Sequence, residues 1–208
     1  MLGEDGMEPF MGMKVRRHSS MYRVYSADYI DVPANPTIVK LLSKQGDKQV
    51  LFADNIMKVN RKCKLVRRVL IVTDVAIYML DSVFFRLKHR IPMQASEWLV
   101  QNIDKVSLSE LSDNFLAVSV PSEYDFLIAS TRKSEIVTVL VEAVKQLTTT
   151  LPENELQSGC QLAQKFTKLV GVLNGVCSFE YRIDAEHTRE VHFESVEDGG
   201  TKTKFVDK

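Results

Sequence analysis

The sequence has little with which to staple, anchor or polarise itself. Its three cysteines, Cys63, Cys160 and Cys177, are odd in number, widely spaced and without a C-x-x-C pair. That usage argues against a disulfide framework and fits reduced thiols in a cytosolic protein. Net charge is missing as well, since 27 Lys and Arg balance 27 Asp and Glu. A general nucleic-acid binder carries a clear basic excess, so no nucleic acid is expected as a partner. Long apolar runs are absent: the most hydrophobic stretch, Val69 to Phe85, is broken by Asp74 and Asp81. A spanning helix takes about 20 mostly apolar residues. The opening Gly3-Glu4-Asp5-Gly6 is unlike a secretory leader. Leu2 and the ending Phe205-Val206-Asp207-Lys208 signal neither myristoylation nor prenylation. Any attachment to a membrane is therefore expected to be reversible and at its surface.

Catalytic signatures are equally scarce. No G-x-x-x-x-G-K-[ST] phosphate loop and no G-x-S-x-G elbow occurs, and the cysteines lack a local nucleophile signature. His187 and His192 flank Glu190, but five residues apart they fall on opposite faces of a regular strand. No enzyme activity, metal or cofactor is expected. The single tryptophan, Trp98, sits beside Leu99 and Val100 and reads as core.

What is present is an ordinary globular composition, 45% hydrophobic and 26% charged over 208 residues, enough for one core or one domain with appendages. Residues 1–13 read as a disordered lead, 14–196 as a single domain and 197–208 as a mobile tail. Asn35 is a helix cap, Pro36 suits the first helical position, and Ile38, Val39, Leu41 and Leu42 give one apolar face before Gly46. Seven short β-branched or aromatic runs follow, at 50–52, 69–72, 76–80, 84–87, 103–108, 115–120 and 124–128. Ile136, Leu140, Ala143, Val144 and Leu147 then repeat at helical spacing, from about Lys133 to Leu147. Three more strands are expected at 164–173, 176–183 and 190–195. The expected fold is mainly β with α: a pleckstrin-homology-like antiparallel barrel capped by a C-terminal helix, with a short N-terminal helix and extra C-terminal strands.

The densest charge feature is Lys58-Val59-Asn60-Arg61-Lys62-Cys63-Lys64-Leu65-Val66-Arg67-Arg68, with six cations and no acid. Between two strands it gathers Lys58, Arg61, Lys62, Lys64, Arg67 and Arg68 around one turn, as recognition of a multivalent anion requires. Each Lys or Arg near an anionic bilayer contributes about 1 kcal/mol, so four of the six would contribute about 4 kcal/mol. Arg86, Lys88 and Arg90 alternate at strand spacing and form a candidate accessory basic face. Arg16-Arg17-His18-Ser19 has the form favoured by basophilic kinases, and phosphate on Ser19 would oppose those cations.

Leu51-Phe52-Ala53-Asp54, the basic hairpin and Leu70-Ile71-Val72-Thr73-Asp74 together resemble the core of the class I myosin tail-homology-one domain. So do Val106-Ser107-Leu108-Ser109, Leu111-Ser112-Asp113 and Phe115 to Val120, and upstream Arg16 to Ser20 and Ala27-Asp28-Tyr29-Ile30. The resemblance covers roughly residues 14–196, without the motor. It implies binding of anionic phospholipids, phosphoinositides in particular, through Lys58 and Arg68, with Arg61, Lys62, Lys64 and Arg67 in support. Val66 departs from it, because the family commonly has a basic residue two before the final arginine. The implied setting is cytoplasmic and peripheral, at the inner face of the plasma membrane or the cortical cytoskeleton, with myosin or actin-associated proteins as further partners. The alternative is a protein-interaction adaptor of the same fold at actin-rich membrane sites, with little lipid affinity.

Overall fold

The computed structural model describes residues 27–93, 103–121, 124–149, 167–170, 176–197 and 200–208, with the backbone alone for 145–149 and 167–170. The expected lead, the segment around Ser19, Trp98, Cys160 and the Asn174-Gly175 turn lie outside these residues.

Local signals set the first helix, α1 (Pro36–Gln45). Asn35 Oδ1 accepts from the backbone N–H groups of Thr37 and Ile38, and Gly46 ends the helix at φ 81°. Two of its apolar residues, Ile38 and Leu42, are buried. The strands follow as β1 (Val50–Val59), β2 (Leu65–Thr73), β3 (Ala76–Asp81), β4 (Leu87–Pro92), β5 (Lys105–Ser109), β6 (Phe115–Ser119) and β7 (Phe126–Ala129), then helix α2 (Lys133–Thr149). After α2 come β8 (Thr167–Val170), β9 (Val176–Arg182), β10 (Thr188–Ser195) and β11 (Thr201–Asp207).

The first eight strands form one sheet in the order β4-β3-β2-β1-β7-β6-β5-β8. All its pairs are antiparallel except β5 with β8. One face curls around a single core to which every strand from β1 to β7 contributes, among them Phe52, Leu70, Ile77, Ile91, Val106, Leu116 and Phe126. Ile136, Val137 and Leu140 of α2 plug that core, which is the pleckstrin-homology-like arrangement. The opposite face is covered twice. Val32, Ile38 and Leu42 of the α1 region pack on Ala53, Val69, Ile71, Tyr78 and Leu80. The three-stranded sheet β11-β10-β9 packs Phe179, Tyr181, Val191 and Phe193 on Val59, Ala117 and Leu127. Burial on both faces explains why β2 and β3 read as almost continuous apolar runs.

Two expectations are corrected. The fourth strand is displaced from 84–87 to Leu87–Pro92, because Asp81 captures the intervening chain in a turn: its Oδ2 accepts from the N–H groups of Val83 (3.1 Å) and Phe84 (2.9 Å). Residues 201–207, expected to trail as a mobile tail, form β11, paired in register with β10 from Ser195–Thr201 to Arg189–Asp207. The first strand also runs on to Val59, so the basic segment begins inside it.

Candidate functional site

In an antiparallel pair, residues directly opposite share a face. Ile56 lies opposite Arg68 and Lys58 opposite Val66, so Lys58, Val66 and Arg68 continue the inner, core-lining face past its last apolar residues. Arg67 and Leu65 project from the other face. The intervening turn is held by Asn60, whose Oδ1 accepts from the N–H groups of Lys62 (2.9 Å) and Lys64 (3.0 Å), with Cys63 at φ 56°. A tie from the second sheet fixes it further: buried Arg189 donates Nη2–H to the Arg61 carbonyl at 2.9 Å and Nε–H to Asp207 at 2.5 Å.

The result is a cavity of about 190 Å³ at one end of the curled sheet, lined by Lys58, Arg61, Val66, Arg68, Lys88, His89, Tyr124, Asp125 and Tyr181 among others. Lys58 Nζ lies 4.6 Å from the Phe126 ring centroid and 5.3 Å from that of Tyr124, and 3.4 Å from His89 Nε2. The Arg61 guanidinium lies 5.7 Å from the same Tyr124 ring. Arg68 is loosely paired with Asp81 at 3.8 Å. The one acid among the described lining residues, Asp125, is occupied: Oδ1 accepts from Val120 N–H, Oδ2 from Arg182 N–H, and the Arg182 guanidinium is 3.5 Å away. Cations therefore dominate what the cavity presents to a ligand. The position two before Arg68, Val66, faces this cavity, and Lys88 of β4 lines it as well.

The structure thus gathers Lys58, Arg61, Arg68 and Lys88 around one space. It leaves Lys62 and Lys64 exposed on the turn and sends Arg67 to a separate outer groove of about 500 Å³, beside Met57, Ser112 and Thr203. The accessory face does not hold together. A register shift between Met79 and Leu80 interrupts the β3–β4 alternation, Arg86 lies in the turn before β4, and Arg90 leaves the cavity for Tyr78, donating to its hydroxyl at 3.1 Å.

His89 and Tyr124 went unnoticed in the sequence. Tyr124 opens the expected 124–128 run and lies two residues before β7, which pairs with β1, and that was the available clue. His89 sits edge-on to Tyr124 and Phe126, at centroid distances of 5.7 and 5.0 Å. Burial, then the nearby charges of Lys58, Arg68 and Lys88, lower its pKa to about 4. The folded state therefore takes up its proton later than the unfolded chain, whose histidine titrates near the ordinary 6.5. The stability due to neutral His89 is complete above pH 6.5 and is lost as pH falls towards 4. Discounted for partial exposure, about 1 kcal/mol is expected to disappear between about pH 7 and 5. Urea unfolding at the two pH values checks this, and His89→Asn should remove that share of the pH dependence.

A family model described as the unconventional myosin tail, actin- and lipid-binding, matches residues 16–207. The chain belongs to this family. It is 35% identical over 142 residues to a myosin heavy chain IB of Acanthamoeba castellanii, and 31% identical over 138 residues to a myosin ID heavy chain of Dictyostelium discoideum. Each match takes in 64% of this chain but 12% of the relative. A myosin IE heavy chain of Dictyostelium discoideum is 31% identical over 163 residues, 71% of this chain and 14% of that protein. The chain therefore spans about an eighth of the length of these class I myosins, in the tail. Among the described residues no helix is long and apolar enough to cross a membrane.

Proposed function

We propose that this tail domain binds the anionic headgroups of acidic phospholipids, phosphoinositides in particular, at the cytoplasmic surface of a membrane. One observation carries the reading: Lys58, Arg61, Arg68 and Lys88 converge on one cavity whose only acid among the described residues is already engaged. Three features make it suited to a phosphorylated ring rather than to a flat charged surface. The cations come from β1, its turn, β2 and β4, so they surround a guest. Tyr124 and His89 supply neutral polar groups beside them. Lys88 supplies a cation from β4 where β2 has Val66. Lys62 and Lys64 on the turn add long-range attraction to the bilayer, and no motor chemistry is needed for any of this. Such binding, in a family whose description includes actin, would set the domain at the actin-rich cortex with the membrane as its first partner.

Co-sedimentation with vesicles carrying either phosphatidylinositol bisphosphate or phosphatidylserine, at matched total charge, tests the reading. The phosphoinositide is expected to bind more tightly, and affinity for both should fall steeply between about 0.05 and 0.3 M salt, because the outer cations are screened. Lys88→Met should weaken phosphoinositide binding about fivefold, the loss of one cation near an anionic surface. Equal affinity for both lipids would replace the pocket with a diffuse basic patch. Absence of binding to either at low salt would sink the lipid reading and leave a protein-interaction adaptor.

A further inference from the structure

The turn between β3 and β4 has a construction at odds with its sequence. Val83 and Phe84 are 69% and 65% exposed, the two most exposed large hydrophobic side chains among the described residues. Nothing about the turn is loose. Asp81 accepts from Val83 and Phe84 N–H through its side chain and from Phe85 N–H (3.1 Å) through its carbonyl, and Asp81 N–H donates to Arg86 O at 2.8 Å. Phe85, at φ 53°, turns back and packs against the core beneath α1. A non-glycine residue held in the left-handed region is uncommon for a bulky side chain, and here it buries one ring while thrusting its neighbour out.

Position gives the exposed pair a partner. β1 and β3 run in the same direction, so the β3–β4 turn emerges at the same end of the sheet as the cationic β1–β2 turn. The two are joined: Arg68 of the cavity lies opposite Asp81, the residue that shapes the turn, and pairs with it at 3.8 Å. Arg86 sits over the Phe84 ring at 5.3 Å. An aliphatic and an aromatic tip, flanked by cations and facing the way the anion cavity faces, fits the boundary where acyl chains meet acidic headgroups. An acidic bilayer complements both at their separate depths, acyl chains against the tip and headgroups against the cations.

We infer that Val83 and Phe84 form a wedge that enters the acyl boundary of an acidic bilayer while the Lys58–Arg68 cavity holds a headgroup. This rests on the lipid reading above and assigns it a depth and an orientation. Headgroup attraction brings the domain to the surface, and burial of the tip adds a term that salt does not screen.

The test uses the whole chain on phosphatidylcholine vesicles containing phosphatidylserine, with and without bromine on the acyl chains. Phe84→Trp should show a blue-shifted emission on binding, quenched by brominated chains well beyond the quenching of the wild-type protein, whose one tryptophan is Trp98. Val83→Ser/Phe84→Ser should keep its thermal unfolding midpoint yet bind about tenfold or more weakly, the loss being as large at high salt as at low. Unchanged affinity of the double serine variant, or Phe84→Trp emission that brominated chains leave untouched, would overturn the wedge while the lipid reading stands, and would hand the tip to a protein partner. If the wild-type chain does not bind acidic vesicles at all, both fall together.

Discussion

Lys58→Met/Arg68→Met is expected to cost about thirtyfold in affinity for phosphatidylserine vesicles and more than about a hundredfold for phosphoinositide vesicles. The smaller figure is the electrostatic part: two cations near an anionic surface at about 1 kcal/mol each, with about 1.4 kcal/mol to a factor of ten. The larger figure adds the charge-assisted hydrogen bonds that the cavity would make to a headgroup phosphate, about 1.5–3 kcal/mol apiece. Methionine is the informative replacement. It keeps most of each aliphatic stem, so the packing of the side chain at position 58 beside Tyr124 and Phe126 survives, and the fold should lose little. The cation–π contacts at 4.6 and 5.3 Å disappear, at about 0.5–1 kcal/mol for an exposed case. Against that, two of the three charges that add to burial in holding His89 neutral are removed. Its pKa should therefore move back up towards 6.5, which histidine NMR can follow in the variant. Equal losses on the two lipids would show that Lys58 and Arg68 act only as surface charge, and would remove the pocket from the proposal.

Much of this protein is legible locally. Asn35, Pro36 and Gly46 mark a helix with signals within one turn of its ends, and that helix forms where they say. Six of the seven expected strands and the amphipathic helix after them are visible because each run carries its own β-branched, aromatic or helical signature. The site is only half visible. Charge density points to the hairpin, but the side of the sheet each cation serves depends on the β1–β2 register, which comes from pairing Lys58 with Val66 across the turn. That pairing puts Arg68 in the cavity and Arg67 outside it. On β4 the period of two fails at the register shift, so three residues that read as one face separate into turn, cavity and Tyr78 contact. Phe84 and Phe85 look like strand residues to any propensity scale. What wins is Asp81, a few residues upstream, competing for their backbone as short polar side chains do.

The last strand hid for a different reason. Thr201-Lys202-Thr203-Lys204-Phe205-Val206-Asp207 lacks an apolar face because β11 is an edge strand with a single neighbour. Alternating lysines on such a strand are the usual guard against further pairing. Read alone, that composition resembles a solvated tail; paired with β10, it closes the sheet that steadies the basic hairpin.

Phe193→Ala is expected to remove about 3–5 kcal/mol of stability, the cost of truncating a buried phenylalanine and leaving the space it filled. Phe193 has no exposed surface and lies tilted against Phe179 at 5.5 Å and Phe115 at 5.8 Å, one ring from each sheet. It belongs to a core shared with Val59, Ala117 and Leu127, so the second sheet has no apolar interior of its own. Three strands with one apolar face are the minimum for independent stability, and here that face packs on the first sheet. The loss should therefore appear as a lowered midpoint of a single urea transition, with an unchanged slope, followed by circular dichroism and by tyrosine fluorescence together. Two separated transitions would mean that the second sheet unfolds as an independent appendage. The distinction reaches the site through Arg189, which rises from β10 next to Val191 and grips the Arg61 carbonyl at the turn of the basic hairpin. If the sheets unfold as one unit, that grip lasts as long as the fold does, and lipid affinity should follow the folded fraction of Phe193→Ala point for point as urea is added. If the second sheet leaves first, the hairpin loses its anchor while the barrel persists, and affinity should fall ahead of the main transition.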